Sequence, residues 1–482
     1  MKELLHRRSF FKRSSAVMTG AALSSLAAHR AFADDDRGRR RHGHDHDERG
    51  RRSDYGDLKP VPDQNGDEIL ALPRDFRYVT FSKTGEAFGN GLVVPRNHDG
   101  MACFDGRGDI VRLIRNHEVR NAAGDFTLGV NGPADKRYDA KGMGGCMTLD
   151  FDTKRKRLVR QFVSIGGTIV NCSGGLSYRD QGWITCEETV QGVNNGYEKP
   201  HGYNFFVPAG ADATVPAVAF KEMGRFAHEA SVADEHGVVY QTEDAGNNSG
   251  FYRFTPNSRD NLAAGGVLEM MAVTGMPGAN LFVSQPVGTR LPVSWVSIPV
   301  PDPSLEGGGL SCFGQGRAAG GAAFNRLEGL FRGEDGRSMY FVSTSGGGGF
   351  GQLWHYLPAD GRLQEEDQLV LVFQSPNGSV LEAPDNLCLT PNGGVLFCED
   401  DAVGDNDTHP LAPGISDINR LVGMGAKGEI FTFAVNRLND SEFAGGCFSP
   451  DGEILFVNLF GNQVPGSGMS CAIWGPWERG PL

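Results

Sequence analysis

The sequence predicts an all-β fold, a six-bladed β-propeller with a central metal site and one long inter-blade insertion. Three observations predict it: an excess of glycine, a phrase that recurs along the chain, and carboxylates that return at one point of that phrase. Gly supplies 68 of the 482 residues, about double the roughly 7% of ordinary proteins. No G-X-Y period accompanies it, so this glycine belongs in turns between many short strands. The recurring phrase is a polar cluster, a short apolar stretch, a turn, and a β-rich stretch ending in polar residues.

The phrase occurs six times. It runs from Asn97-His98-Asp99-Gly100 to Asn116-His117-Glu118, from Cys172-Ser173-Gly174 to Cys186-Glu187-Glu188, and from His228-Glu229-Ala230 to Glu243-Asp244. It returns from Arg326-Leu327-Glu328-Gly329 to Ser343-Thr344, from Pro384-Asp385-Asn386 to Cys398-Glu399-Asp400, and from Gly445-Gly446-Cys447 to Asn458. Counted at 118, 187, 243, 344, 399 and 458, the steps are 69, 56, 101, 55 and 59 residues. A unit of about 55 to 70 residues has room for four short strands, which is a propeller blade. Two stacked β-domains are the alternative architecture. The long step holds an insertion, placed at Met276 to Gly321 and expected as a surface loop or lid. Asp234-Glu235-His236-Gly237, Pro391-Asn392-Gly393-Gly394 and Pro450-Asp451-Gly452 join apolar stretches as hairpin turns do.

Ahead of the repeats, Arg7-Arg8-Ser9-Phe10-Phe11-Lys12 precedes an Ala-rich apolar stretch and then Ala31-Phe32-Ala33. That order is a twin-arginine export signal with a small-residue cleavage site. Residues 1–33 are therefore read as signal peptide, 34–57 as a disordered charged linker containing His42, His44 and His46, and 58–482 as the propeller. No later apolar stretch is long enough to span a membrane, so no membrane anchor is expected after cleavage. Removing the +5 of residues 1–33 from the net charge of −13 leaves −18 for the remainder. A body this acidic disfavours nucleic acid and anionic membranes and suits bound cations. Nine cysteines without a C-x-x-C pair do not make a disulfide framework.

Inner strands of a propeller line a central channel, so equivalent residues converge there. Asp99, Glu229, Glu328 and Asp385 hold equivalent points, and the strands that follow end in Glu118, Cys186-Glu187-Glu188, Glu243-Asp244 and Glu399-Asp400. So many carboxylates repel one another unless protonated or neutralised by cations. Oxygen ligands favour Ca2+, Mg2+ or Fe3+, and a thiolate from Cys186 admits a transition metal beside them. Arg326 stands two residues before Glu328, so on a strand both project from one face, as a contact for an anionic substrate or as an ion pair. Arg225, four residues before Glu229, is a weaker substrate contact or a structural arginine. His117 and His228 each precede a Glu and are open to ligand, acid/base or structural roles. No Walker sequence, G-x-S-x-G elbow or H-E-x-x-H helix is present.

At these residues the chain resembles the alkaline phosphatase PhoX family of exported bacterial metalloenzymes. The resemblance extends from about Asn90 to Trp477 and rests on NHDG at 97–100, NHE at 116–118, TCEE at 185–188 and GRFAHEA at 224–230. RLEG at 326–329, PDN at 384–386 and AIWGPW at 472–477 continue it. It implies twin-arginine export to the periplasm or beyond, a six-bladed propeller, and hydrolysis of phosphate monoesters at a cluster of Fe3+ and Ca2+. It further implies Cys186 as an iron ligand, Glu229 and Glu328 as metal ligands, and Arg326 as the phosphate contact. Glu118, Glu187, Asp385 and Glu399 complete the candidate metal ligands, and Arg225 is the second candidate substrate contact. The expected partners are small phosphate esters and the twin-arginine export machinery, and the expected state is a monomer. A calcium-dependent lactonase on the same plan and a non-catalytic calcium-stabilised binding propeller are the alternatives. Cys186 among carboxylates argues against both, since calcium has no use for thiolate.

Overall fold

Strands rich in Val, Ile, Phe and Leu, closed by Gly-containing turns, build an all-β molecule in the computed structural model, which describes residues 55–89, 91–360, 365–400 and 407–482. The export signal and most of the charged tract lie outside the described residues. Three strands come first, β1 (Leu58–Val61), β2 (Leu70–Pro73) and β3 (Arg77–Phe81), then a small hairpin of β4 (Ala87–Phe88) and β5 (Leu92–Val93). A first antiparallel run follows: β6 (His98–Asp105), β7 (Ile110–His117), β8 (Gly144–Asp152) and β9 (Arg157–Thr168). The next run is β10 (Asn171–Leu176), β11 (Gly182–Glu187) and β12 (Asn204–Pro208). Then come β13 (His228–Ala233), β14 (Val239–Glu243), β15 (Phe251–Pro256), β16 (Gly266–Val273) and β17 (Arg290–Ser297). After them lie β18 (Leu327–Arg332), β19 (Met339–Ser343), β20 (Gln352–Leu357) and β21 (Gln368–Gln374). The last runs are β22 (Pro384–Leu389), β23 (Val395–Glu399), β24 (Arg420–Met424) and β25 (Ile430–Asn436), then β26 (Phe443–Phe448), β27 (Ile454–Leu459) and β28 (Met469–Trp474).

The first strands of the successive runs touch one another in a closed cycle, β6 to β10, β13, β18, β22, β26 and back to β6. Cycle closure involves the other end of the chain as well. Strand β3 pairs antiparallel with β28, Ala472 opposite Val79, so an N-terminal strand completes the last sheet. Tyr55 reinforces this join: its hydroxyl donates to Trp477 O at 3.0 Å, and its ring packs edge-on against Phe76 and Trp477. The folded part thus begins by Tyr55, within the tract read as linker from sequence. Apolar strand faces fill the spaces between neighbouring sheets, one large cluster uniting Phe76, Phe433, Leu455, Val457 and Ile473.

The insertion after β16 differs from the expected loop. Its alternating Leu291, Val293 and Trp295 form β17, which pairs with β16 along Glu269–Val273 and with β21 through Arg290–Pro292. Two runs are thereby joined into one nine-stranded sheet. A short helix, Cys312–Ala318, follows, started by the Ser311 side chain accepting from Gly314 N.

Candidate metal centre

Each strand of this closed cycle is paired to the strand that follows it with the same irregularity near its start. The register shifts between His98 and Met101, Asn171 and Gly174, His228 and Ser231, Leu327 and Leu330, Pro384 and Leu387, and Ala444 and Cys447. A bulge re-aims the side chain it contains. Five of the bulges begin with Asp99, Cys172, Glu229, Glu328 and Asp385, each the second residue of its strand.

A second layer comes from the residue just beyond each second strand. The N–H groups of Glu118, Glu188, Asp244 and Asp400 donate to Asn97, Val170, Ala227 and Ala383 carbonyls at 3.0, 2.9, 3.1 and 3.0 Å. Thr344 N makes the equivalent bond to Arg326 O, and Phe460 N to Glu442 O. Asn97, Val170, Arg326 and Ala383 hold left-handed backbones, with φ of 55°, 47°, 49° and 39°. Such strain in residues with a Cβ concentrates where a structure positions functional groups. Side chains of one run also hold the next run's bulge. Asn116 Nδ2 donates to Cys172 O at 3.0 Å, Thr242 Oγ1 to Glu328 O at 2.7 Å, and Asn458 Nδ2 to Asp99 O at 2.7 Å.

The result is a chain of ligand groups in which the donor atoms lie within 4.8 Å of one another: Asp99, Glu118 and Cys172; Cys172, Glu188 and Glu229; Glu188, Asp244 and Glu328; Glu229, Glu328 and Asp385; Asp385, Asp400 and Glu442. Burial, followed by the charge of neighbouring acids, raises Asp99, Glu188, Glu229, Glu328 and Glu442 well above the usual carboxylate range and Asp385 to about 7. The Cys172 thiol is pushed up in the same way, by burial and then by Asp99 and Glu229. Both oxygens of Glu229 are buried without a hydrogen-bond partner. A carboxylate so placed costs free energy unless something satisfies it, and a cation among these donors does so. The residues therefore fit a metal cluster.

Two arginines stand at its rim. Arg326 donates from Nε to Asp244 Oδ2 at 3.1 Å and pairs through Nη2 with Glu328 Oε1 at 2.7 Å. Arg120 pairs with Glu118 and Glu188.

Of the residues picked from sequence, Glu118, Glu229, Glu328, Asp385 and Arg326 come together here, and Cys186, Glu187, Glu399 and Arg225 do not. Strand alternation explains Glu187 and Glu399, each one residue before a cluster acid. Cys186, within β11, faces the interior against Ser231, and burial raises its thiol. Glu187 turns away from Glu188 and takes His201 Nδ1 at 2.6 Å with the Gly202 and Tyr203 N–H groups. Glu399 likewise accepts Arg420 Nε at 2.7 Å and Nη2 at 2.6 Å. Arg225 is buried and binds Glu306 through both terminal nitrogens, at 2.7 and 2.6 Å, pinning the insertion beside Val190 and His201. Of the two histidines, His117 donates from Nδ1 to Arg96 O at 2.8 Å and accepts at Nε2 from Arg115 Nη2 at 3.1 Å, and His228 stacks on Phe226. Glu188, Asp244 and Asp400 stood in the sequence only among the crowded carboxylates and not as chosen ligands, and Cys172, Glu442 and Arg120 were not picked as ligand or rim residues. Cys172 opens its phrase and was visible there, whereas Glu442 stands just ahead of the sixth phrase with a residue type unlike its counterparts.

The profile of the family described as alkaline phosphatase PhoX matches residues 53–466. The chain belongs to the alkaline phosphatase PhoX family. Among solved structures, Pseudomonas fluorescens PhoX in complex with vanadate, a transition state analogue, superposes with a TM-score of 0.63 at 14% identity, over 88% of this chain and 99% of that one. A gluconolactonase of Xanthomonas campestris superposes with a TM-score of 0.44 at 11% identity, over 87% and 98% of the two chains. The periplasmic gluconolactonase of Pseudomonas aeruginosa reaches 0.33 at 15% identity, over 79% and 95%. No curated protein matches the PhoX-family chain by sequence.

Proposed function

We propose that the protein is an exported, metal-dependent phosphatase that hydrolyses phosphate monoesters, built on a six-bladed propeller whose inner strands carry the metal ligands. The observation that carries the reading is the chain of ligand groups, centred on a Glu229 whose buried oxygens lack partners. Donor chemistry divides these groups into two kinds. Cys172 mixes a thiolate with Asp99, Glu118, Glu188 and Glu229, a set suited to Fe3+, and it replaces Cys186 in that role. The remaining groups are all carboxylate and suit Ca2+. Bound there, the metals supply Lewis-acid activation of the phosphoryl group and of water.

Arg326 does the rest from the protein side. Its left-handed backbone aims a half-buried guanidinium between Asp244 and Glu328, where its charge is held firmly on by Glu328. From that position it donates to non-bridging phosphoryl oxygens and stabilises the charge that develops on them. The closed cycle of inner strands supports six blades. The Arg7-Arg8 signal supports twin-arginine export to the periplasm or beyond.

The test is elemental analysis of protein purified without added metal, with rates on a phosphate monoester, a phosphate diester and gluconolactone. Iron and calcium accompanied by monoester hydrolysis are expected. Excess chelator should lower the rate and the unfolding temperature together, because the acids are left repelling one another, and calcium should restore both. Iron-free protein with full monoesterase activity, or lactone hydrolysis alone, refutes the reading.

A further inference from the structure

The function proposed above does not use Arg120. Its guanidinium pairs with Glu118 and Glu188, carboxylates of successive ligand groups, as that of Arg326 pairs with Asp244 and Glu328. The two arginines thus flank a single triad, Glu188, Asp244 and Glu328. Their depths differ. The Arg120 side chain is 58% exposed and that of Arg326 31%, while Glu188 and Glu328 are 11% and 2% exposed. Arg120 is therefore the more solvent-exposed of the two rim arginines.

That difference assigns different parts of a substrate. A phosphoryl group drawn to the acids' cations and Arg326 leaves its ester oxygen and leaving group for the more solvent-exposed side, where Arg120 stands. A guanidinium on the outer side meets the leaving group. It also has charge to offer there, since cations that claim Glu118 and Glu188 weaken its hold on those carboxylates while its planar fork still faces solvent. The body of the protein is strongly acidic, so an exposed cation at the mouth of the centre is a local exception that attracts a second anion.

We propose that Arg120 is a specificity residue that binds a second anionic group, carboxylate or phosphate, on the leaving-group side, and that the preferred substrates are phosphate esters bearing such a group. The proposal rests on the phosphatase reading for the identity of the bound phosphoryl group.

Binding without turnover tests it directly. Calorimetry compares propylphosphonate, which has no second anion, with 3-phosphonopropionate and propane-1,3-diphosphonate, which carry a carboxylate and a phosphonate at similar reach. The metal-loaded wild type should bind at least one of the latter two about ten- to a hundred-fold more tightly, as one charge-assisted contact provides. Arg120→Gln should bring that ratio close to one, and Arg120→Lys should keep part of it. Which dianion is favoured separates carboxylate from phosphate recognition. The ratio of kcat/KM for 3-phosphoglycerate over glycerol 3-phosphate should fall in the same variants. A wild type with no preference overturns the proposal, as does Arg120→Gln that keeps the preference or weakens all three ligands alike. Metal loss from Arg120→Gln, measured on the same samples, overturns it too, because Arg120 would then be holding the ligand acids. Failure of the phosphatase reading looks different: the wild type hydrolyses neither ester, while phosphonate selectivity is still measured.

Discussion

Gly329, the residue after Glu328 in its bulge, offers a direct probe of how the ligands are brought together. A Cβ at this position would meet Asp385 O at 2.6 Å, Asn386 Cα at 2.9 Å and Leu387 N at 3.0 Å. All three atoms are backbone of β22, so no side chain can rotate out of the way, and β18 and β22 must separate by several tenths of an ångström. Forced overpacking of this kind costs roughly 1–3 kcal/mol. The separation also moves Asp385 away from Glu328 and Glu229, its partners in one ligand group. Gly446, in the equivalent bulge of β26, is the control: its Cβ would meet Cys398 Sγ at 3.4 Å and Cys388 Sγ at 3.8 Å, an ordinary contact. Neither glycine has a left-handed backbone, so conformational strain does not confuse the comparison. Thermal unfolding and elemental analysis of Gly329→Ala and Gly446→Ala should show destabilisation and loss of calcium in the first, with near-native behaviour in the second. Gly329→Ala unfolding at the wild-type temperature with full metal content would falsify the close-approach argument.

Cys172→Ser should abolish the visible sulfur-to-iron absorption of the purified protein, whereas Cys186→Ser should retain it; absorption spectra with iron analysis distinguish the two thiols. Arg326→Lys keeps a charge but loses the planar fork, so kcat/KM should fall about ten- to a hundred-fold with metals retained, and inhibition by phosphate should weaken in parallel; unchanged kinetics would remove Arg326 from the reaction. His201 lies between Glu187 and Asp139, and although burial works to lower it, the two carboxylates raise it to about 9 from 6.5. A raised histidine contributes stability fully below about pH 6.5 and loses it as pH rises through 9, on the order of 3 kcal/mol for a shift of this size. Unfolding temperatures across pH 6–10 should decline in the wild type more steeply than in His201→Gln, and parallel curves would count against it. Asp139, held down to about 2 chiefly by His201 and backbone N–H groups against its burial, adds stability above pH 3.8 that is lost as pH falls towards 2.

The equivalence of Asp99, Glu229, Glu328 and Asp385 was legible in the sequence because each follows the same point of a repeated phrase, and the structure carries that equivalence into identical bulges. What misled was the end of each second strand. Pairs such as Glu187-Glu188 and Glu399-Asp400 look alike in sequence, yet alternation sends the strand's last residue to a structural partner and only the next one to the centre. For the cysteines, TCEE drew attention to Cys186 because it is crowded by acids along the chain, whereas Cys172 meets Glu188 of its own run and Asp99, Glu118 and Glu229 of neighbouring runs only through the fold. Arg120 lies outside the phrase on a loop, and Glu442, though it stands before β26 as Arg326 stands before β18, differs from its counterparts in residue type and so escapes a local pattern. The twist of β17 into a bridging strand was readable from its apolar alternation, which the surrounding Gly and Pro obscured.

No ligand group is completed by one run of strands. Asp99 and Glu118 wait for Cys172, Glu188 needs Asp244 and Glu328 from two further runs, and the last group is complete only with Glu442. A chain emerging from the ribosome therefore offers an ion nothing better than a pair of acids until the following run has folded beside it, and the sheet containing β26 cannot be finished until β28 returns to β3. A full set of groups certifies that the last run has folded beside the run before it, and a chain cut short before Glu442 keeps its early groups but not its last.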